Sequence, residues 1–177
     1  RTVKDKRQFI ARADEITFAL HVVKRSKVAR QFAKSELFAD LCFDLLGPDC
    51  RLYWDQAVYK KPHCMEEFPW HQDNGYGQLD PANAISTLTA LDDADVENGC
   101  LWVIPGSHRA GQIDVSDRLS VNSKAAGADL SVNVDREADA IPVPLIAGDA
   151  VVLHCHLLHR SEGNLSEDRD RRILFLR

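Results

Sequence analysis

At Gly47-Pro48 the hydrophobic pattern of this chain changes period, giving way to a series of short apolar runs separated by turn residues. Before that point Leu37, Phe38, Leu41, Cys42 and Leu45 recur at three- and four-residue steps, which places them on one helical stripe. Glycine accepts left-handed backbone after a last helical turn and proline cannot continue the helix, so a helix over 35–46 stops there. With Phe9, Ile10, Ile16, Phe18, Leu20 and Val22-Val23 read alongside it, residues 5–47 are expected to be helical. After Pro48, Leu52, Trp54, Gln56 and Val58 alternate with Arg51, Tyr53, Asp55 and Tyr59, the period of a half-buried strand. The segment beginning at His71, together with 84–91, 100–104, 141–145, 150–154 and 173–176, reads as further strands, with Asn98-Gly99 joining 84–91 and 100–104 into a hairpin. Pro142 and Pro144 assign 141–145 to a sheet edge, because proline cannot donate to a ladder from a central position.

Many short strands without alternating helices argue for an antiparallel double sheet, mainly β with N-terminal helices, closed as a jelly roll or barrel. The 177 residues fit one domain, with its core over 48–177 and residues 109–140 as a long loop or lid. In such a fold strands remote in sequence become neighbours, and ligands sit in the mouth. The missing initiator methionine and the apolar run that ends at Arg177 lead us to expect part of a longer polypeptide.

Composition narrows the partners. Twenty-two basic against 27 acidic residues, a net charge of -5, provide no basic stripe for a phosphate backbone, so nucleic acid is not an expected partner. No apolar run approaches the roughly 18 residues of a membrane span, so no membrane partner is expected. Five cysteines, Cys42, Cys50, Cys64, Cys100 and Cys155, are an odd number without Cys-x-x-Cys spacing and read as free thiols in a cytoplasmic protein.

The chemistry concentrates in Trp70-His71-Gln72-Asp73 and, much later, His154-Cys155-His156-Leu157-Leu158-His159. On an extended strand His71 and Asp73 share a face and grip one ion from the same side, the third ligand coming from the late histidines His154, His156 or His159. Two imidazoles and a carboxylate leave half of an octahedral shell open, which suits a ferrous ion that also binds a co-substrate and dioxygen. Ser161, Asn164 and the basic run Arg169-Asp170-Arg171-Arg172 come next, and an arginine opening the last strand is suited to hold a carboxylate through two parallel hydrogen bonds.

From about Leu45 to Arg172 the chain resembles the phytanoyl-CoA dioxygenase family of iron(II)- and 2-oxoglutarate-dependent oxygenases. The likeness lies in Lys60-Lys61-Pro62 before the His71 motif, Glu97-Asn98-Gly99-Cys100-Leu101 running to Pro105-Gly106-Ser107-His108, Gly148-Asp149, and Leu157-Leu158-His159-x-Ser161-x-x-Asn164. The resemblance implies a double-stranded β-helix, the cupin-like jelly roll. It also implies His71, Asp73 and His159 as the catalytic iron ligands, and Arg171 with Ser161 on the distal carboxylate of 2-oxoglutarate. Arg172 competes with Arg171, because Glu167-Asp168-Arg169-Asp170 lengthens the loop by about a residue relative to the family. Gln72 and Gln56 match positions that often reach the co-substrate, and Leu88 stands where some members carry an aromatic.

The implied reaction consumes dioxygen and 2-oxoglutarate, releases succinate and carbon dioxide, and hydroxylates an aliphatic C–H bond of a small-molecule or acyl substrate. Asp73 favours hydroxylation or a related oxidation such as desaturation, since halogenating relatives replace this carboxylate with a small residue. Asn74, Tyr76 and the loop from residue 109 onward are candidate substrate-lining positions, His108 is read as a turn cap, and the oligomeric state is left open. Two alternatives remain: a cupin-like metal enzyme that does not use 2-oxoglutarate, and a noncatalytic β-sandwich binding module.

Overall fold

In a computed structural model, residues 2–5, 8–13, 16–77, 79–114, 132 and 134–177 are described, with side chains from residue 16 onward except at 76 and 77. Strands β1 (Thr2–Asp5), β2 (Gln8–Ala13) and β3 (Ile16–Leu20) lead into helices α1 (Val22–Arg25), α2 (Lys27–Ala33) and α3 (Glu36–Leu46). Then come β4 (Asp55–Lys60), β5 (Phe68–His71), the short helix α4 (Asp73–Gly77), β6 (Ile85–Ala90) and β7 (Leu101–Val103). The chain closes with β8 (Ile141–Val143), β9 (Ala150–His154), β10 (His159–Ser161) and β11 (Arg171–Leu176). One sheet has the order β1-β2-β3-β4-β11-β6-β9 and the other β5-β10-β7-β8. The chain's last strand lies between β4 and β6, and β10 lies between β5 and β7, so both sheets are completed by late strands.

Directly opposite residues of an antiparallel pair share a face, which divides β11 cleanly. Arg171, Ile173 and Phe175 lie opposite Lys60, Val58 and Gln56. On this face Ile16 and Phe18 pack with Cys64, Val58 and Phe68, and the rings of Phe18 and Phe68, from opposite sheets, are 6.1 Å apart edge to face. The face is therefore the interior between the sheets. Leu174 and Leu176 point the other way and pack with Val23 and Phe38 beneath the helices. At four and seven residues α1 and α2 are too short to be stable alone. They are held by this apolar contact, each fully buried large side chain contributing about 1.5–3 kcal/mol. The architecture is the double-stranded β-helix expected from the sequence, with the proline-bearing β8 at an edge of the smaller sheet.

Three local expectations are corrected. Residues 5–47 are helical only from Val22; the segment before it forms β1 to β3, because Ile16, Phe18 and Leu20 repeat every second residue and extend the large sheet beside β4. Residues 84–91 and 100–104 are not a hairpin: β6 and β7 belong to different sheets, and the intervening chain crosses between them. Gly99, at φ 83°, serves that crossing by a close approach, since a Cβ there would lie 2.5 Å from the Glu162 carbonyl oxygen. Finally, β5 ends at His71 and Asp73 opens α4, so the two residues do not share a strand face. Of the expected loop, residues 115–131 and 133 lie outside the described residues. Among the described residues no helix is long and apolar enough to cross a membrane.

Candidate metal centre

Strand β10 runs antiparallel to β5 with His159 directly opposite His71, which sets the two rings 4.1 Å apart. The turn after β5 swings Asp73 back toward them. Asp73 Oδ1 stands 3.7 Å from His71 Nε2 and 3.5 Å from His159 Nε2, and all three side chains are buried. Each imidazole is held by its other nitrogen: His71 Nδ1 is 2.8 Å from the Pro69 carbonyl and His159 Nδ1 is 2.8 Å from the Leu157 carbonyl. A carbonyl only accepts, so Nδ1 carries a hydrogen in both rings and Nε2 is the atom left facing the carboxylate. Asp73 Oδ2 accepts the Ser86 hydroxyl, which orients the carboxylate and leaves Oδ1 for the shared point.

Electrostatics divide the two rings in the metal-free pocket, favouring a neutral His71 and charge on His159 and Asp73. Burial, and then the neighbouring His159, push His71 down to about 3, so that it is neutral at ordinary pH. Burial also opposes charge on His159, but Asp73 outweighs it and the pKa rises. Burial likewise opposes the Asp73 anion, yet His159, His71 and the Ser86 hydroxyl hold the carboxyl well below its usual range. An ionised carboxylate oxygen and two imidazole nitrogens, converging with their outer partners in place, fit an open-sided ferrous centre. Ser86→Ala should weaken divalent-metal binding about 10–100-fold by freeing the Asp73 carboxylate. Metal titration of the folded variant checks this.

One pleat beyond His159, Ser161 faces the same interior, where Lys60 meets it. The Lys60 side chain is fully buried, and Nζ donates to the Ser161 carbonyl and hydroxyl, both at 3.1 Å, and to the Glu162 carbonyl. Directly across from Lys60 on β11 is Arg171, 5% exposed, whose guanidinium has no hydrogen-bond or acidic partner among the described residues. Burial lowers Arg171 to about 10; burial and then the Arg171 charge lower Lys60 to about 7. Arg172, one residue on, faces outward and spends Nε and a terminal nitrogen on Asp92. Of the two candidates, only Arg171 enters the interior.

The amides fall elsewhere. Gln72 donates to the Gly111 and His156 carbonyls at 2.9 and 2.8 Å and accepts from the Ile113 amide, so both its donors are spent fastening the 111–113 segment. Gln56 lies opposite Phe175, at the far end of β4 from Lys60, and accepts from the Trp54 indole. Leu88 also lies opposite Phe175. Asn74 is buried and bonded to Leu79, Gln112 and Arg177, a structural engagement, while the Tyr76 side chain lies outside the described residues. After the Pro105-Gly106 turn the Ser107 hydroxyl accepts from the distant Leu158 amide, while the His108 ring packs near His154. His154, Cys155 and His156 also cluster. There His154 Nδ1 accepts the His156 amide within the turn, and the Cys155 thiol donates to the distant Ala82 carbonyl, so two of the three side chains already have partners.

Three contributors escaped the reading of the sequence: Ser86, Lys60, and Arg177, which donates to the Asp73 carbonyl at 2.8 Å. Two carried a signal. Lys60 continues the inward phase of Gln56 and Val58, and Ser86 occupies the inward phase of its own strand, opposite Leu153.

Comparison with known proteins agrees with the fold and the family resemblance. Phytanoyl-CoA dioxygenase domain-containing protein 1 of Bos taurus is 37% identical over 116 residues, 64% of this chain and 40% of that protein. The Danio rerio protein of the same name is 29% identical over 175 residues, 92% of this chain and 57% of its own length. The chain thus spans about half the length of the curated relatives it matches. The structure of EvdO2 from Micromonospora carbonacea var. aurantiaca, complexed with 2-oxoglutarate, matches with a TM-score of 0.68 at 25% identity, covering 99% of this chain and 74% of that one. The family profile described as Phytanoyl-CoA dioxygenase (PhyH) matches residues 1–173, and the chain belongs to that family.

Proposed function

We propose that the chain carries the active site of an iron(II)- and 2-oxoglutarate-dependent dioxygenase that hydroxylates an aliphatic C–H bond of a small-molecule or acyl substrate. The observation that carries this reading is Arg171: a buried guanidinium without an acidic partner among the described residues, on the interior face that also holds the His71, Asp73 and His159 triad. A buried unpaired cation is costly, and a carboxylate guest offsets that cost. A metal enzyme that does not use 2-oxoglutarate has no need of it.

Ferrous iron held by the triad would supply the oxidative decarboxylation of 2-oxoglutarate by dioxygen and the subsequent hydroxylation. The protein's own part is positioning and exclusion. The Pro69 and Leu157 carbonyls keep both Nε2 lone pairs aimed at the metal position, and Ser86 keeps Asp73 turned toward it. Arg171 and Ser161 hold the distal carboxylate, while Val58, Ile173 and Phe68 are placed to keep bulk water from that end. The Asp73 carboxylate argues against halogenation and favours hydroxylation or a related oxidation such as desaturation. Five unbridged cysteines suit a reducing, cytoplasmic setting.

The test is anaerobic addition of ferrous iron and then 2-oxoglutarate to the folded protein. A weak visible charge-transfer band of the chelate is expected, and its absence would overturn the reading.

A further inference from the structure

We infer that Lys60 is a positioning residue of the co-substrate site, one that turns the Ser161 hydroxyl into a donor for the distal carboxylate and makes the site select a dianionic 2-oxoacid over a monoanionic one. The inference rests on the 2-oxoglutarate reading above and names a residue that reading does not require.

With a carboxylate bound beside it Lys60 is held as the ammonium, which has three donors and no acceptor, and these go to the Ser161 carbonyl, the Ser161 hydroxyl oxygen and the Glu162 carbonyl. Because Lys60 gives a hydrogen to Ser161 Oγ, that oxygen must accept, and its own proton is left to point elsewhere. Ser161 is itself nearly buried, so the proton needs an acceptor inside the fold. Arg171, directly across from Lys60 on the same face, needs an anion in the same interior. One carboxylate with two oxygens answers both: it receives the Ser161 hydroxyl and the Arg171 guanidinium. Lys60 also places a second positive group beside that carboxylate, although Glu66 and Glu67 offer it some distant counter-charge. Burial lowers the pKa of both Lys60 and Arg171, and the Arg171 charge lowers that of Lys60 further, so an anion placed beside them offsets both effects.

The same three bonds tie β4 of the large sheet to β10 of the small one, so Lys60 is also a strut, and the test must separate the two roles. Calorimetric titration of the manganese-loaded protein with 2-oxoglutarate and with 2-oxobutyrate, which lacks the distal carboxylate, gives a selectivity ratio that requires no turnover. In Lys60→Met and Lys60→Gln the ratio should fall by about tenfold or more, the worth of a charge-assisted hydrogen bond, while manganese affinity stays at the wild-type value. In a Ser161→Ala background, Lys60→Met should cost less selectivity than it does alone. Parallel weakening of both 2-oxoacids, with the ratio unchanged, would reduce Lys60 to a strut and overturn the inference. Should neither variant fold, the wild-type protein still decides the matter. The 15N resonance of Lys60 Nζ should move on adding 2-oxoglutarate and stay in place with 2-oxobutyrate; an indifferent resonance overturns the proposal. Failure of the wild-type protein to bind either 2-oxoacid would overturn the underlying reading, and this one with it.

Discussion

Asp73→Ala should eliminate the proposed metal-dependent turnover and weaken metal binding by more than the roughly 10–100-fold expected from loss of an outer partner alone. Asp73 supplies the anion of the triad, and Oδ1 lies 3.7 and 3.5 Å from the two Nε2 atoms. Its removal has two further consequences inside a buried site. The Ser86 hydroxyl loses its acceptor, at a cost of about 1–3 kcal/mol for an unsatisfied buried donor. His159, whose pKa is raised because Asp73 outweighs burial, falls back toward a neutral imidazole. The metal-free variant should therefore stay folded with reduced stability, which circular dichroism and thermal unfolding report. Metal titration and turnover with 2-oxoglutarate measure the main effect. Metal affinity equal to wild type would remove Asp73 from the ligand set.

Legibility differed by element. Leu37 to Leu45 announced α3 because a single stripe repeats at helical spacing, although only Phe38 on it becomes fully buried while Leu37 and Leu45 remain exposed. Ile16, Phe18 and Leu20 were misread for the opposite reason: three residues are too few for period two to stand out beside a strong helical neighbour, and pairing with β4 settles their conformation. Asn98-Gly99 looked like a hairpin turn because glycine at positive φ serves both a two-residue turn and a close crossing, and the deciding contact is with Glu162, far along the chain.

The site was read in proportion to how local its signals are. His71 and Asp73 are neighbours in sequence, and His159 was reached through the order of motifs. The strand alternation assumed between His71 and Asp73 is absent, yet a turn at Gln72 brings their side chains to the same point. Gln72 was assigned to the co-substrate through its match to a family position that often reaches it. Its amide is instead spent on the Gly111 and His156 carbonyls and the Ile113 amide, partners that only the fold brings near. Lys60 lay in full view in the inward phase of its strand, but a buried lysine is rare enough that composition argues against it until its three carbonyl and hydroxyl acceptors are known.

Arg171 and Arg172 illustrate the same limit, and substitution separates them. Adjacent arginines on a strand point to opposite faces, so one residue of register decides which serves the site. Arg171→Met should raise the Michaelis constant for 2-oxoglutarate roughly 10²- to 10³-fold, the cost of leaving a desolvated carboxylate without its cation. At saturating co-substrate much of the turnover should return, because the lost interaction holds the distal end of 2-oxoglutarate rather than the reacting carbon. The ligand-free protein should be no less stable than wild type: methionine fills similar volume, and the variant no longer buries a charge that lacks a partner among the described residues. Arg172→Met removes an outward-facing pair with Asp92, of the kind that contributes little to stability, and should leave the Michaelis constant unchanged. Steady-state kinetics varying 2-oxoglutarate, run beside thermal unfolding of the ligand-free variants, distinguish the two. The reverse pattern, with Arg172→Met impaired and Arg171→Met indifferent, would shift β11 by one residue and dismantle the interior face on which Lys60, Ser161 and the triad meet.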